Sequence, residues 1–244
     1  CGALAAGVVV FGFTEWMYYV TDTPFQVEAG SVRAYEYAAA YPLFHWGPLM
    51  WALYVLPGIA IGYLYYNKKC MKSWSIAEAC KPALGKYGSK ICPVIDVMAV
   101  FSTVSACCTT IGLGTPVLAQ LYASITGTEV TFGMKLAVIG IFFIFLCIFG
   151  ATPLKKGMAT ISKANVKLGI ILLALVLVIG PTFFILNTAW QAAGTNLSDM
   201  IRMCSFTDSI GQGLLSPDWT VFYVVWYLGI AAKTGLWVAK ISYG

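Results

Sequence analysis

Phe44-His45-Trp46-Gly47-Pro48-Leu49-Met50-Trp51-Ala52-Leu53-Tyr54 is an aromatic-rich run inside a stretch apolar enough to cross a membrane. At about 100° per residue, Trp46, Tyr54 and Trp51 fall within roughly 140° of arc on one helix face. Two readings of that stripe stand side by side. Rings that share a face attract a quaternary ammonium through their quadrupoles, since such a cation cannot donate hydrogen bonds. Alternatively, the Trp and Tyr side chains fill a bundle core or sit in an interfacial belt.

The rest of the chain supplies the setting for the stripe. Apolar residues make up 59% and charged residues 10% of the 244 positions, and the mean hydropathy is +0.80, whereas soluble domains carry roughly 25% charge. The chain therefore reads as an all-α polytopic membrane protein. Six stretches reach the roughly 20 apolar residues a span needs, at about 1 to 20, 43 to 66, 95 to 124, 132 to 152, 165 to 189 and 219 to 239. No alternating ten-residue pattern is present, which argues for helices over a barrel.

Charge placement sets the expected topology. Lys68, Lys69, Lys72, Lys81, Lys86 and Lys90 lie between the second and third spans, Lys155, Lys156, Lys163 and Lys167 between the fourth and fifth, and Lys240 follows the sixth. The opposite loops hold Arg33, Lys135 and Arg202, so the positive-inside rule places the lysine-rich loops in the cytoplasm. For a bacterial source this means the inner membrane. Asp22, Glu28, Glu36, Glu129, Asp199, Asp208 and Asp218 fall outside, and a nucleic-acid partner is not expected. The eight cysteines fall in different compartments and imply no disulfide framework. The sequence opens on Cys1 in an apolar helix and stops at Gly244 just after another, and so reads as a fragment, with no cleavable signal or lipidation signature.

Along the chain, Ala3-Leu4-Ala5-Ala6-Gly7 permits close helix approach or local unwinding. Glu15, an ionisable residue at membrane depth, is a functional candidate that also stands close enough to the interface to reach water. A short surface helix is expected around Val32 to Ala40, a kink at Pro57-Gly58, and an interfacial helix between Asn67 and Pro93. The third span carries Ser102, Thr103, Ser105, Thr109, Thr110 and Thr115, which either bond neighbouring helices or line a wet path. The fourth, rich in Ile and Phe, faces lipid or neighbouring subunits. Gly180-Pro181 bends the fifth, and an amphipathic helix is expected around Leu197 to Cys204. Asp218 is the expected N-cap of the sixth span, on which Trp219, Trp226 and Lys233 recur every seven residues on one face with Tyr223 and Ile230. Lys233 either places a positive charge in or beneath a pocket or snorkels to the cytoplasmic interface.

Several of these stretches together resemble the betaine/choline/carnitine transporters over essentially the whole sequence. Phe44-His45-Trp46-Gly47 with Trp51 and Tyr54 is similar to the family's fourth membrane helix, and Asp218-Trp219-Thr220-Val221-Phe222-Tyr223 to the start of its eighth. Gly12 to Glu15, Gly112-Leu113-Gly114, Lys156-Gly157, Gly180-Pro181-Thr182, Arg202-Met203 and Thr207-Asp208 follow in family order. The resemblance implies a twelve-helix, usually trimeric transporter built on two inverted five-helix repeats. Residues 1–190 would be the first repeat, 191–217 an outer loop with its amphipathic helix, and 218–244 the first helix of the second repeat.

Carried over by position, the resemblance implies that Tyr18, Trp46, Trp51 and Trp226 cage a trimethylammonium group, with Tyr54 lining the cage and Tyr227 beside it. Thr23-Pro24-Phe25 and His45-Trp46-Gly47-Pro48 are most similar to the sodium-independent carnitine/γ-butyrobetaine antiporter branch. The eighth helix departs from the family pattern: Val224 stands where a Trp is usual, Tyr227 replaces the second of a Trp pair, Ile230 occupies an aromatic position, and Lys233 adds a charge. Lys233 would pair with a substrate carboxylate or stand in for a coupling sodium. The implied function is secondary transport of a quaternary ammonium zwitterion by sodium-independent exchange, without cofactor. The competing expectation is a truncated, non-transporting relative serving as a structural subunit of a membrane complex. No metal cluster or nucleophile constellation supports an enzyme.

Overall fold

The computed structural model describes residues 2–151, 154–211 and 215–242, without the side chains of 2–6, 8–9, 149–151, 154–162 and 215–217. The expectations placed on Ala3 to Ala6 and on Lys155 to Gly157 concern side chains outside the described ones. Among the described residues the regular structure is helical. The chain divides into two bodies, Cys1–Thr110 with Thr195–Gly244, and Ile111–Gly194.

The first body holds α1 (Gly2–Thr21), α2 (Val32–Phe44), α3 (Met50–Gly62), α4 (Ile76–Leu84), the first half of α5 (Gly88–Thr126), the end of α8 (Thr182–Ser205) and α9 (Leu215–Ile241). Ser31 and Ser75 start α2 and α4 as N-caps, accepting from the backbone N–H groups of Ala34 and Glu78. A π-helical stretch, His45–Leu49, joins α2 to α3, so that Val32–Asn67 runs as one 36-residue helix ending in a second π stretch, Tyr63–Asn67. Pro48 accounts for the first: it lacks an N–H and its ring crowds the carbonyl four residues back, and a wider turn relieves both. The helix keeps α geometry through Pro57-Gly58, where a kink was expected.

Two further expectations are corrected. Residues 32 to 40 do not form a surface helix: Ala34, Tyr37, Ala38, Tyr41 and Phe44 are buried, together with Tyr19 and Met203. Their spacing of three and four makes a continuous stripe, and burying it outweighs the exposed Arg33 and half-buried Glu36 on the other face. Asp218 is not an N-cap either, because α9 begins three residues earlier and places it in the first turn, where its charge favours the helix dipole.

α3 and α9 pack along their length, and the closest approach is backbone on backbone. A Cβ on Gly235 would lie 2.7 Å from the Gly58 nitrogen and 2.9 Å from Pro57 Cβ. Only a residue without a side chain allows this crossing, as in small-residue helix pairs of membrane proteins. Ser102 ties α5 to the same helix by donating to the Gly229 carbonyl. Thr103, Thr109, Thr110 and Thr115 donate to carbonyls four residues back in their own helix.

The second body holds the end of α5, α6 (Phe132–Ala151), α7 (Leu154–Ile179) and the first half of α8. An apolar groove of about 680 Å³ runs between α5 and α6, lined by Leu118, Tyr122, Met134, Val138 and Phe145 among others. Gly180-Pro181 interrupts the fifth predicted span more sharply than a kink, with Lys163–Ile179 and Thr182–Ser205 meeting at 114°. By length and composition Val32–Asn67, Ile76–Thr126 and Asp218–Ile241 can each cross a membrane, the bent pair counts as a fourth candidate, and Phe132–Ile148 is shorter. α1 has the length of its predicted span, although several of its side chains are outside those described.

Gly235→Val forces two methyl groups into backbone and proline atoms that cannot rotate away. We expect a destabilisation of about 1–3 kcal/mol, read as a lower unfolding midpoint of the detergent-solubilised protein, whereas Gly229→Ala, with its nearest neighbour Ser102 Oγ at 3.4 Å, should have a smaller effect.

Candidate functional site

The site begins with one carboxylate. Glu15, three-quarters of the way along α1, is fully buried, and an unpaired charge at that depth would cost several kcal/mol. Its oxygens are accordingly surrounded by donors. Tyr223 Oη donates to Oε2 at 2.7 Å and Trp46 Nε1 donates to the same oxygen at 3.2 Å. Tyr19 Oη donates to Oε1 at 3.3 Å, from one turn further along α1. His45 Nδ1 lies 2.6 Å from Oε1, and its Nε2 lies 2.9 Å from Thr220 Oγ1.

Local structure explains why these groups meet. His45 and Trp46 are neighbours at the start of the π stretch, and both reach Glu15. Thr220 and Tyr223 lie one turn apart on α9 and face the same way. Gly7 lets the opposing rings close in, because a Cβ there would run into the Trp226 ring and stand 3.1 Å from Trp46 Cη2.

Above and below this carboxylate the rings form two walls. Along α9, Tyr223 stacks on Trp219 (5.8 Å, 28°), Trp226 (6.3 Å, 16°) and Tyr227 (5.6 Å, 23°). Trp46 stands edge-on to that ladder, with centroids 5.3 Å from Tyr223 and 6.1 Å from both Trp226 and Tyr227. Tyr54 meets Tyr227 edge-on at 5.9 Å, and Phe11 closes the side towards α1 against Trp219, Phe222, Tyr223 and Trp226.

Of the six aromatic residues named from sequence, Trp46, Tyr54, Trp226 and Tyr227 therefore lie in one cluster. Trp51 stands at its margin, touching Tyr54 at 6.5 Å with 54% of its surface exposed. Tyr18 lies at one end of the cluster against Trp219 (5.6 Å), 46% exposed. Lys233 is exposed. The buried face of α9 is centred on Tyr223, Tyr227, Ile230 and Ala231, and Lys233 sits about 80° around the helix from Tyr223, beyond Trp226 on the flank.

Sequence reasoning weighed Glu15 without seeing its partners. His45, Thr220 and Tyr223 were legible only as parts of motifs: the one histidine, and a Thr and Tyr at helical spacing.

Fold and site together define a helical membrane protein with an aromatic cluster built around a buried acid. The family model for betaine/carnitine/choline transporters matches residues 1–244, and the chain belongs to that family of secondary transporters. As a family member it is an integral membrane protein that acts on small quaternary ammonium substrates and is not an enzyme.

Glu15→Gln puts an N–H₂ where one carboxylate oxygen accepted two donors, so those two must turn to accept or lose their partner, and an indole N–H such as Trp46 Nε1 cannot accept. The expected cost is about 1–3 kcal/mol per orphaned group, seen as a lower unfolding midpoint together with a shift of intrinsic Trp emission as Trp46 is released. Glu15→Asp, which keeps an acceptor but shortens its reach, should lose less.

Proposed function

We propose that the chain moves a quaternary ammonium zwitterion of the carnitine or betaine type across the membrane by alternating access, as a sodium-independent exchanger. The observation that carries this reading is the perpendicular pair of walls, Trp46 from one helix and Trp226 with Tyr227 from another, held 6.1 Å apart by centroid. At that distance the rings are in edge-to-face contact, so a trimethylammonium group enters as the walls part during alternating access and then gains from several ring faces at once. Trp226 is the main partner, Trp46 the opposing wall, and Tyr54 and Tyr227 the floor. Trp51 and Tyr18, exposed at the margins, are the residues that would swing in to close the cage over a bound substrate.

The remaining parts of the reading rest on family membership and charge placement. The chain contributes the first inverted repeat and the opening helix of the second, with the substrate at their interface. It works as a homotrimer in the cytoplasmic membrane, with its lysine-rich loops inside. Lys233, one helix flank away from the ring cluster, serves as a fixed positive charge in place of a coupling sodium.

Two measurements test this. Trp226→Leu should weaken carnitine or betaine binding by about 0.5–2 kcal/mol in a fluorescence titration, and unchanged affinity would refute the cage. Exchange in proteoliposomes should proceed at the same rate when potassium replaces sodium, and a sodium requirement would refute the coupling mode.

A further inference from the structure

The ring cluster contains hydrogen-bonding groups that the described residues leave unused. Tyr54 Oη, Tyr227 Oη and Trp226 Nε1 are buried and have no hydrogen-bond partner among the described residues. Tyr54 and Tyr227 are at least nine-tenths buried as whole residues, 2% and 0% exposed, and their rings touch. Trp226 stacks on Tyr227 with centroids 6.2 Å apart. A buried polar group left unpaired is costly and rare, so three in one cluster require an account.

The surroundings offer no acceptor for them. The other side chains packed in this cluster are Phe11, Met50, Leu49, Leu53, Ala106, Ile230 and Ala231, together with Trp46, Trp219 and Tyr223. The nearby carboxylate, Glu15, already receives Tyr223, Trp46, Tyr19 and His45. An indole N–H can only donate, and a phenol that donates needs an oxygen opposite. Trp219 Nε1, also unpartnered, belongs to the end of the cluster where its ring meets Phe11 and Tyr18.

We infer that Tyr54 Oη, Tyr227 Oη and Trp226 Nε1 form a subsite of neutral donors that receives the carboxylate of a zwitterionic substrate. The inference rests on the transport reading above and makes it narrower: the substrate carries an anionic oxygen group beside its ammonium, and the carboxylate is held by neutral donors, with exposed Lys233 left to another role. Neutral phenols suit a transporter that must release what it binds, because they stabilise a carboxylate by charge-assisted hydrogen bonds without a buried countercharge. The position where Tyr227 takes the place of an expected Trp then changes meaning. The ring face is kept for the cation, and the donor moves to the far end of the ring, for the anion.

The test uses Tyr54→Phe, Tyr227→Phe and the double variant of the full-length protein, each of which removes an oxygen and keeps the ring. Binding of L-carnitine and glycine betaine is compared with that of choline, which shares the ammonium but has no carboxylate, by intrinsic Trp quenching. Wild type should prefer the zwitterions, and each Phe substitution should cut that preference about tenfold. Equal losses for both ligand types, or an unchanged preference in the double variant, would overturn the subsite while leaving the cage intact, as expected if the hydroxyls are merely hydrated. Wild-type protein that binds choline as tightly as the zwitterions would do the same. Failure of wild type to bind either ligand would overturn the transport reading, and the subsite with it.

Discussion

A carboxylate inside a membrane protein must be surrounded by donors, and the arrangement of this chain's central helices follows from that requirement at Glu15. Four groups converge on it, one from its own helix, two from the junction of α2 and α3, and one from α9. No pair of helices could satisfy it alone. α1 therefore has to lie against both partners at once, and the close fits around it, Phe11 against four rings and Gly7 beneath Trp226, are the steric side of the same demand. The π stretch belongs to this logic too. It brings two successive residues, His45 and Trp46, onto one acceptor, which the 100° step of a regular helix makes difficult.

This division of labour separates the rings of α9 into two sets. Tyr223 is committed to Glu15 and is locked. Tyr227, one turn on, has the same burial and stacking but an uncommitted hydroxyl. The helix thus carries a fixed ring that anchors the fold and, 5.6 Å away, a ring whose polar end is free to engage something else. Rigid support immediately beside an unsatisfied group is what a binding site requires, because the donor is held in place before the ligand arrives.

How much of this was legible in the sequence differs by element. The apolar spans, the aromatic stripe and the family likeness were readable because each depends on local periodicity or on a motif. α2 was misread because Arg33, Glu36 and its alanines suggest a surface, whereas the stripe Ala34, Tyr37, Ala38, Tyr41, Phe44 has the spacing of a buried face. Asn196 and Asp199 on α8 complete that burial by reaching the Ala40 carbonyl and the Tyr37 hydroxyl, contacts across more than 150 positions that no local pattern announces. Lys233 was placed on the ring face by its seven-residue spacing from Trp226, but each such step drifts by about 20°, and two steps from Trp219 carry it off the buried face. The partners of Glu15 were hidden for the same reason as those of Asn196, since pairing between helices is a tertiary fact.

The departures of the last helix from the expected aromatic run also take on a different sense in three dimensions. Read along the sequence, Val224, Tyr227 and Ile230 look like the erosion of an aromatic site. In the structure Ile230 and Tyr227 are both buried in one cluster with Tyr54, so the Ile fills the wall rather than opening a gap in it. Erosion would relax packing and leave polar atoms to solvent; here packing is dense, and the polar atoms are buried without protein partners. Such groups bear a cost in stability until something bonds them, and a ligand with an oxygen to offer supplies what they lack. The altered helix is on this view a chamber refitted for a guest charged at both ends, the cation against the ring faces and the anion against their hydroxyls.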